Sequence, residues 1–546
     1  MTTDARRRPD RRIRALQGST RVIVIATIAV FAVVPLLAAF GAWRDGWEPA
    51  GDVAIIGVRS LDAWTSDAPL VGQPTTGDSY AHVSSFHPGP VEYWLVGPFV
   101  HAAGPALGMP LAVALLNGVT LAGIMWVAFR RGGPALLAIM ALLVAALIRG
   151  IGAASLYDPF NSELATYPLL LTVLAAWSVL MGDRKMLPVL AAAATVTAQT
   201  HVVGATIVAP LLIFTVVGLV LQAREGRWIP RRDRTSLIGA GAILGLAWLP
   251  VLVREVSGPS NVSALMKTAT APHPRIGLAF GLDRLFSSIV PPIFVRSSGG
   301  AEAISAFVGR SGAFAVLLAA VVLGGTVGLV LLARRKGRRG PAVLGGLVLV
   351  TALTSLYATS TAPPFSAIRA DVTRATWVVS LLVWLTAIWS GWSLLAGGTR
   401  RKATEVVAPV ASALSALVLV AALLGSHVAD QRDGRFMPTI DQLSTRTIAA
   451  IPAGTYHLDL QGELPVFTLG PGLALRLETS GRPVTIPPGP FGVAYGPGRT
   501  STDRATAGTL RVATGDAPDP KAGERLVAQA PLTDAVDQHV YVYLSS

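Results

Sequence analysis

Residues 22–43 read VIVIATIAVFAVVPLLAAFGAW, and the chain continues Arg44-Asp45-Gly46-Trp47-Glu48-Pro49-Ala50-Gly51-Asp52. A helix rises about 1.5 Å per residue, so about 20 apolar residues cross roughly 30 Å of hydrocarbon. The first run meets that length, exceeds the apolar stretch of a cleavable signal peptide, and is followed by others, so it reads as a retained span. The same ruler gives about eleven spans, at 22–43, 110–129, 134–149, 165–181, 187–200, 203–222, 237–253, 312–333, 341–360, 375–397 and 405–426. Window 88–104 is apolar but rich in Pro and Gly. It reads as a re-entrant or interfacial helix, with a twelfth span as the alternative.

Composition agrees with a bilayer protein. The 546 residues are 52% hydrophobic and 14% charged, against about a quarter charged in a soluble domain. The net charge of +14 lies in short arginine clusters between apolar runs, the pattern of cytoplasmic loops; no nucleic-acid-binding face is indicated. Six arginines between Arg6 and Arg14 precede the first span. Alternate connections then carry Arg130 and Arg131, Arg184 and Lys185, Arg224 to Arg234, Arg334 to Arg339, and Arg400 to Lys402. By the positive-inside rule these share the cytoplasmic side, so the N-terminus is expected in the cytoplasm and the C-terminus outside, in the plasma membrane. There is no cysteine, which excludes disulfides, thiolate metal sites and cysteine nucleophiles.

The other side carries long connections at 44–109, 150–164, 254–311 and 361–374, which hold much of the Pro, Asp, aromatic and His content. Long loops of that composition are expected to work, not to be disordered. The layout is therefore a basic N-terminus at 1–21, a membrane domain at 22–426 and a polar C-terminal domain at 427–546. In the last, Tyr456–Leu460 reads as a strand and Gly472–Ser480 as a helix, followed by strands near 482–487, 508–513 and 539–544, with a loop at 487–507. That order predicts a small α/β domain.

Candidate chemistry lies on the long-loop side. Asp52 stands about nine residues past the first span and opens an amphipathic stretch; it suits a general base for an acceptor hydroxyl, or more plainly a helix cap. His87, in His87-Pro88-Gly89-Pro90, suits a phosphate or sugar hydroxyl, or a polar cap beside an aromatic belt. Arg149 precedes Tyr157-Asp158-Pro159-Phe160-Asn161, where Asp158 is either a turn initiator or a second carboxylate across a cavity. Two carboxylates can share a divalent metal or divide base and positioning work. Gln199-Thr200-His201 interrupts an apolar run about 14 residues, or roughly 21 Å, from the Arg184 and Lys185 pair. Gln199 and His201 should thus lie below the outer surface, as ligands of a cavity or as hydrogen-bonding glue between helices. Arg254 with Glu255, Arg275 with Arg284, and Arg369 with Arg374 offer guanidinium forks for phosphate oxygens. Asn261-Val262-Ser263 fits a glycosylation triplet that arises often by chance. Walker, HExxH, GxSxG and dinucleotide patterns are absent from the sequence, and no internal repeat is seen.

One span, an outer loop opening on Gly51-Asp52 with Pro69-Leu70-Val71-Gly72, then His87-Pro88-Gly89-Pro90, Asp158-Pro159-Phe160-Asn161, Gln199-Thr200-His201 and Gly258-Pro259-Ser260-Asn261, resembles the GT-C superfamily of membrane glycosyltransferases over roughly residues 20–430. More narrowly it is similar to actinobacterial members of the RgtA/B/C/D-like and protein-mannosyltransferase-like type. The resemblance implies a GT-C-like polytopic α-helical fold with a small extracytoplasmic C-terminal domain, and an inverting transfer of a sugar from a polyprenyl-phosphate donor to an envelope glycan or lipid. It casts Asp52 as the base, and Asp158 and His201 as groups that orient substrate or bind a metal. It gives His87, Gln199, Arg149, Arg254, Asn261 and Arg369 to substrate. Val53 stands where protein O-mannosyltransferases carry the second acid of an Asp-Glu pair, and no Trp-Trp-Asp motif is present, which favours a glycan or lipid acceptor over protein. Two other readings use the same residues: a transporter or flippase of a lipid-linked envelope precursor, with a midplane site and repeat symmetry, and a non-catalytic envelope-assembly subunit. The enzyme reading expects Asp52, Asp158 and His201 to converge.

Overall fold

The computed structural model describes residues 18–225, 233–290, 292–296, 312–364, 370–489, 491–500, 505–515, 520–532 and 538–545. Among these, nine helices are long and apolar enough to cross a membrane. One of the nine, Val91–Ile151, is 61 residues long, and it cannot be straight. Asn117 Nδ2 donates to Ser155 O and Leu156 O at 3.2 and 3.1 Å, so the chain reverses between them. It does so at Gly133, whose φ of +67° precedes Pro134. A second reversal falls at Gly104, φ +74°, before Pro105, where Gly108 packs on the Phe99 carbonyl. Residues 91–103 are therefore a short arm of their own, and 105–132 and 134–151 form a hairpin. Helices occupy every window read as a span, including the short Leu187–Thr200.

Thr166–Leu180 is apolar on all faces and buried on all of them, which makes it the bundle's axis. Arg234–Ser257 and Ala313–Arg335 bury few residues each and lie at the periphery. The basic connections meet at one end. Arg130 Nε donates to Asp183 at 2.8 Å, and Arg131 stacks over Trp177, whose Nε1 donates to Gly340 O at 2.9 Å. Arg184 donates to Gln222 at 2.8 Å in the same layer. The long loops and the C-terminal domain occupy the opposite end.

At that end the first loop forms helix Gly51–Asp62, which is wedged between the bundle and the C-terminal domain. Its start needs a glycine: Gly51 has φ +52°, and a Cβ there would stand 3.0 Å from Phe467 O and 3.2 Å from Asp433 Oδ2. On its flanks Gly57 lies against Leu475 and Met109, and Gly97 of the short arm lies beneath Ser60 O. Asp62, at its end, accepts from Arg499 Nη1 and Nη2 at 2.9 and 3.0 Å, and Arg59 pairs with the same carboxylate. Arg499 Nε donates to Glu478 at 2.8 Å, which closes the network inside the C-terminal domain. Asp45 Oδ2 accepts from Val428 N–H at 2.9 Å, tying the exit of the first span to the exit of the last.

The C-terminal domain is a five-stranded sheet, β1 Tyr456–Gln461, β2 Val484–Thr485, β3 Gly508–Gly515, β4 Glu524–Pro531 and β5 His539–Ser545, in the order β2-β1-β3-β5-β4. β1 runs parallel to β2 and β3, and β5 antiparallel to β3 and β4. Helix Gly470–Thr479 packs on the wedge helix. The expected α/β arrangement is present, with two elements the sequence reading passed over. Helix Met437–Ala450 is amphipathic but polar on average, and β4 is an edge strand with a bulge between Leu526 and Ala528 and a terminal Pro, which blurs its alternation. The segment 487–507, read as a loop, carries the short helix Gly492–Tyr495 and the turn Pro497–Arg499 that presents Arg499.

Breaking a buried pair leaves one charge uncompensated, a loss of roughly 3–5 kcal/mol. Arg499→Gln is expected to destabilise the fold by that order, seen as a lower thermal unfolding temperature in detergent. The Asp62→Asn, Arg499→Gln double variant should lose clearly less than the two singles added together. Additive losses would mean that the two residues do not act as a pair.

Candidate functional site

The second long loop folds as a turn, Ala153–Leu156, followed by Asp158-Pro159-Phe160 and the short helix Asn161–Leu164. Asp158 Oδ1 accepts the Phe160 N–H at 2.9 Å, the local bond that lets Asp open a turn. The side chain is buried and lines a small cavity with Trp47, Ala50, Val53, Arg432 and Asp433. Burial pushes the Asp158 carboxyl up to about 6, against the pull of the Phe160 N–H and the Arg432 guanidinium. Arg432 itself stacks on Phe160, 3.7 Å from the ring centroid. Asp433, a non-glycine at φ +56°, holds its carboxylate beside Gly51. Burial raises its affinity for protons, Arg432 lowers it, and the neighbouring Asp52 raises it again.

Asp52 stands in the first turn of the wedge helix with its side chain exposed, one residue beyond that contact. Its carbonyl accepts from Gln73 Nε2 at 2.8 Å, and Gln73 Oε1 accepts from Asn161 Nδ2 at 2.9 Å. This chain of bonds locks the first long loop to the second beneath Asp52. Gln431 donates to the Tyr157 hydroxyl, so the segment after the last span is fastened to the same layer.

His87 and His201 lie together, rings 4.6 Å apart. The Val202 N–H donates to His87 Nδ1 at 3.1 Å, and the Val203 N–H to His201 Nδ1 at 3.2 Å, so His201 caps helix Val202–Arg224. With Nδ1 accepting, a neutral His201 carries its proton on Nε2, an assignment that follows from the hydrogen-bond network. His201 lines a second small cavity with Ser162, Thr166, Thr197, Ile207 and Arg374. Arg374 is buried and pairs with Glu163.

The remaining candidates are placed as follows. Gln199 donates to Ala247 O at 2.8 Å and accepts from Val91 N–H at 3.3 Å, anchoring the start of the short arm. Asn261 clamps Phe86 through both its amide atoms, at 3.0 and 3.1 Å. Arg254 is half-buried at the end of its helix, beside Glu255, which accepts the N–H groups of Asn261 and Val262 at 2.9 and 3.0 Å. Arg149 is exposed at the end of helix 134–151, and Arg369 lies outside the described residues. Asp52 and Asp158 are thus joined through one layer, whereas His201 belongs to the adjoining cavity, and Asn161 and Ser162 bridge the two. Among the described residues no three His, Asp or Glu side chains gather as a metal site. The Arg432 guanidinium beside Asp158 and Asp433 opposes a cation there. Arg432, Asp433 and the Glu163 partner of Arg374 were not singled out from sequence. For Arg432 and Asp433 the signal there is a run of charge, Gln431-Arg432-Asp433-Gly434-Arg435, just past the last apolar stretch, and Glu163 ends the segment that opens at Tyr157.

No family model matches the chain, and no curated protein matches it. Among solved structures it is similar to ArnT from Cupriavidus metallidurans bound to undecaprenyl phosphate, at 14% identity and a TM-score of 0.55, covering 94% of this chain and 97% of that one. It is equally similar to ArnT from the same organism in the apo state, at 14% and 0.55, covering 96% and 98%. At this identity the likeness is one of fold. The chain has the fold of the ArnT structures along almost its whole length.

The Asp158 environment makes a signed prediction. A carboxyl whose folded pKa, about 6, lies above its ordinary value of 3.8 is carried at a cost once it ionises. The cost is absent near pH 4, grows as pH rises, and is complete above about pH 6. Asp158→Asn, which keeps the Oδ1 acceptor for Phe160, should therefore stabilise the fold by about 1–3 kcal/mol at pH 7.5 and by almost nothing near pH 4. Thermal unfolding across that range checks it; a pH-independent difference would contradict the assignment.

Proposed function

We propose that the protein is an inverting glycosyltransferase of the plasma membrane. It moves a sugar from a polyprenyl-phosphate donor to an envelope glycan or lipid acceptor at the extracytoplasmic end of the bundle. The observation that carries the reading is the ArnT fold over almost the whole chain, one ArnT structure having undecaprenyl phosphate bound. Two further facts support it. Asp52, Asp158, His87 and His201 lie at the end opposite the basic connections, where the positive-inside rule puts the outer leaflet. Both cavities described above also lie at that end.

In this reading Asp52, exposed on a helix that is fixed on both sides, takes the proton from the acceptor hydroxyl. That oxygen bonds to the anomeric carbon from the face opposite the phosphate. The bond from that carbon to the phosphate oxygen breaks, and polyprenyl phosphate leaves with the electron pair. Asp158 and Asp433 hold sugar hydroxyls near the wedge helix, and Arg432 offsets their charge. His201, protonated on Nε2, donates toward the donor. The C-terminal domain, outside the membrane, holds the wedge helix in place.

The test is transfer of radiolabelled sugar from polyprenyl-phosphate donors into envelope glycan by membranes carrying wild type or Asp52→Asn. Loss of a positioned base is expected to lower transfer by roughly 10²–10⁴-fold in a variant that unfolds at the wild-type temperature. Equal transfer would remove Asp52 from the chemistry. Absence of transfer by wild type, together with movement of an intact lipid-linked precursor between leaflets, would favour a flippase.

A further inference from the structure

The wedge helix Gly51–Asp62 is covered along its length, and of its twelve residues Asp52 alone is exposed. Beside that opening the C-terminal domain sets two phenylalanines. Just before helix Gly470–Thr479, residues Pro465–Leu469 form a π-helical turn, and the carbonyl of Phe467 lies over Gly51. Phe491 comes from a separate segment, immediately ahead of the short helix Gly492–Tyr495, which also packs on the wedge helix. The two rings meet edge to face, with centroids 4.8 Å apart and planes at 89°. Even so, Phe467 is 53% and Phe491 54% exposed. A lone exposed phenylalanine is ordinary. Two from separate segments, held together where a buried helix opens, form a surface for something else to cover. The π-helical turn beneath Phe467 is a rare element that occurs often at functional sites.

The polar groups at that opening decide what covers it. Asp52 is exposed there, and Asp433 holds its carboxylate beside Gly51, near enough for the two charges to interact. A phospholipid would bring its phosphate against two carboxylates, and its acyl chain would strip water from both with nothing in exchange. A cation is opposed by Arg432, which balances Asp433. A neutral sugar fits both parts of the surface. One face of its ring is C–H groups of slight positive charge, matched to the negative face of a phenyl ring. Its rim is hydroxyls, which donate to carboxylates. We propose that Phe467 and Phe491 form a stacking platform for a neutral sugar residue of a glycan, which the C-terminal domain thereby presents to Asp52. That the glycan is the acceptor rests on the proposed function; the platform itself rests on the paired rings and the carboxylates beside them.

A photoreactive phenylalanine reports directly on what lies against the ring. Full-length protein carrying Phe467→p-benzoylphenylalanine, in lipid nanodiscs, is irradiated with neutral hexasaccharides of glucopyranose, mannopyranose or arabinofuranose. An adduct is expected on at least one hexasaccharide. No sugar adduct, or adducts on lipid alone, would overturn the proposal. Binding of the captured hexasaccharide is then followed by saturation-transfer NMR. Phe467→Ala and Phe491→Ala should each weaken it by roughly 10-fold, and Phe467→Tyr should retain it. Both rings are at the surface, so the alanine variants should unfold near the wild-type temperature. Unchanged binding in the double alanine variant would overturn the platform. In transfer assays the alanine variants should raise the acceptor KM and leave kcat and donor KM near wild type, a split that a purely structural role does not produce. Transfer with an unchanged acceptor KM in the double variant removes the platform and leaves the enzyme. Sugar binding that is lost with the rings, in a protein that transfers nothing, leaves the platform and removes the enzyme.

Discussion

The Asp62 carboxylate, held by Arg499 from the C-terminal domain and by Arg59 from its own helix, is the contact on which the long-loop end of this protein depends. Taking a carboxylate and two guanidinium groups out of water is costly, and the arrangement is tolerable because Glu478 supplies a second carboxylate to Arg499. What that geometry secures is position. The helix ending at Asp62 begins at Gly51 and Asp52, so fixing its end fixes where its first turn points. Glycines on its flanks, Gly57 toward Leu475 and Met109, and Gly97 toward Ser60, allow the close approach that keeps it from tilting.

From there the order of the site follows. The Asp52 carbonyl, Gln73 and Asn161 form one line of hydrogen bonds that carries the placement of the first loop into the second. The segment after the last span closes the layer through Asp45 and Val428, Gln431 and Tyr157, and Arg432 over Phe160. Two neighbouring cavities result, with different electrostatics. One gathers Asp158 and Asp433 around a single arginine; the other sets a buried arginine and His201 against hydrocarbon.

Much of the membrane architecture was legible in the sequence, because crossing a bilayer forces a long apolar run with charge at its ends and that pattern survives without tertiary knowledge. The Pro-Gly-rich window 88–104 likewise announced a separate arm, and Gly104 before Pro105 ends it. Residue roles were less legible. Gln199 and Asn261 are polar residues in apolar or loop settings, but their amides bind backbone at Ala247, Val91 and Phe86, partners 48 to 175 residues away. Arg432 and Asp433 gave no signal beyond local charge, since their neighbours, Gly51, Asp158 and Phe160, lie hundreds of residues earlier. Strand β4 escaped because an edge strand with a bulge and charged positions loses the period-two pattern that marks a buried one.

The central claim is that the long-loop end of the bundle holds a lipid-linked sugar with its anomeric carbon facing Asp52. The most direct measurement is a cryo-EM structure of the full chain in nanodiscs with a polyprenyl-phosphonate sugar that cannot be cleaved. The account predicts density for the sugar between the Gly51–Asp62 helix and the Asp158 turn, with the route to the basic end closed. Density at the bilayer midplane, in a path open in turn to both sides, would contradict it.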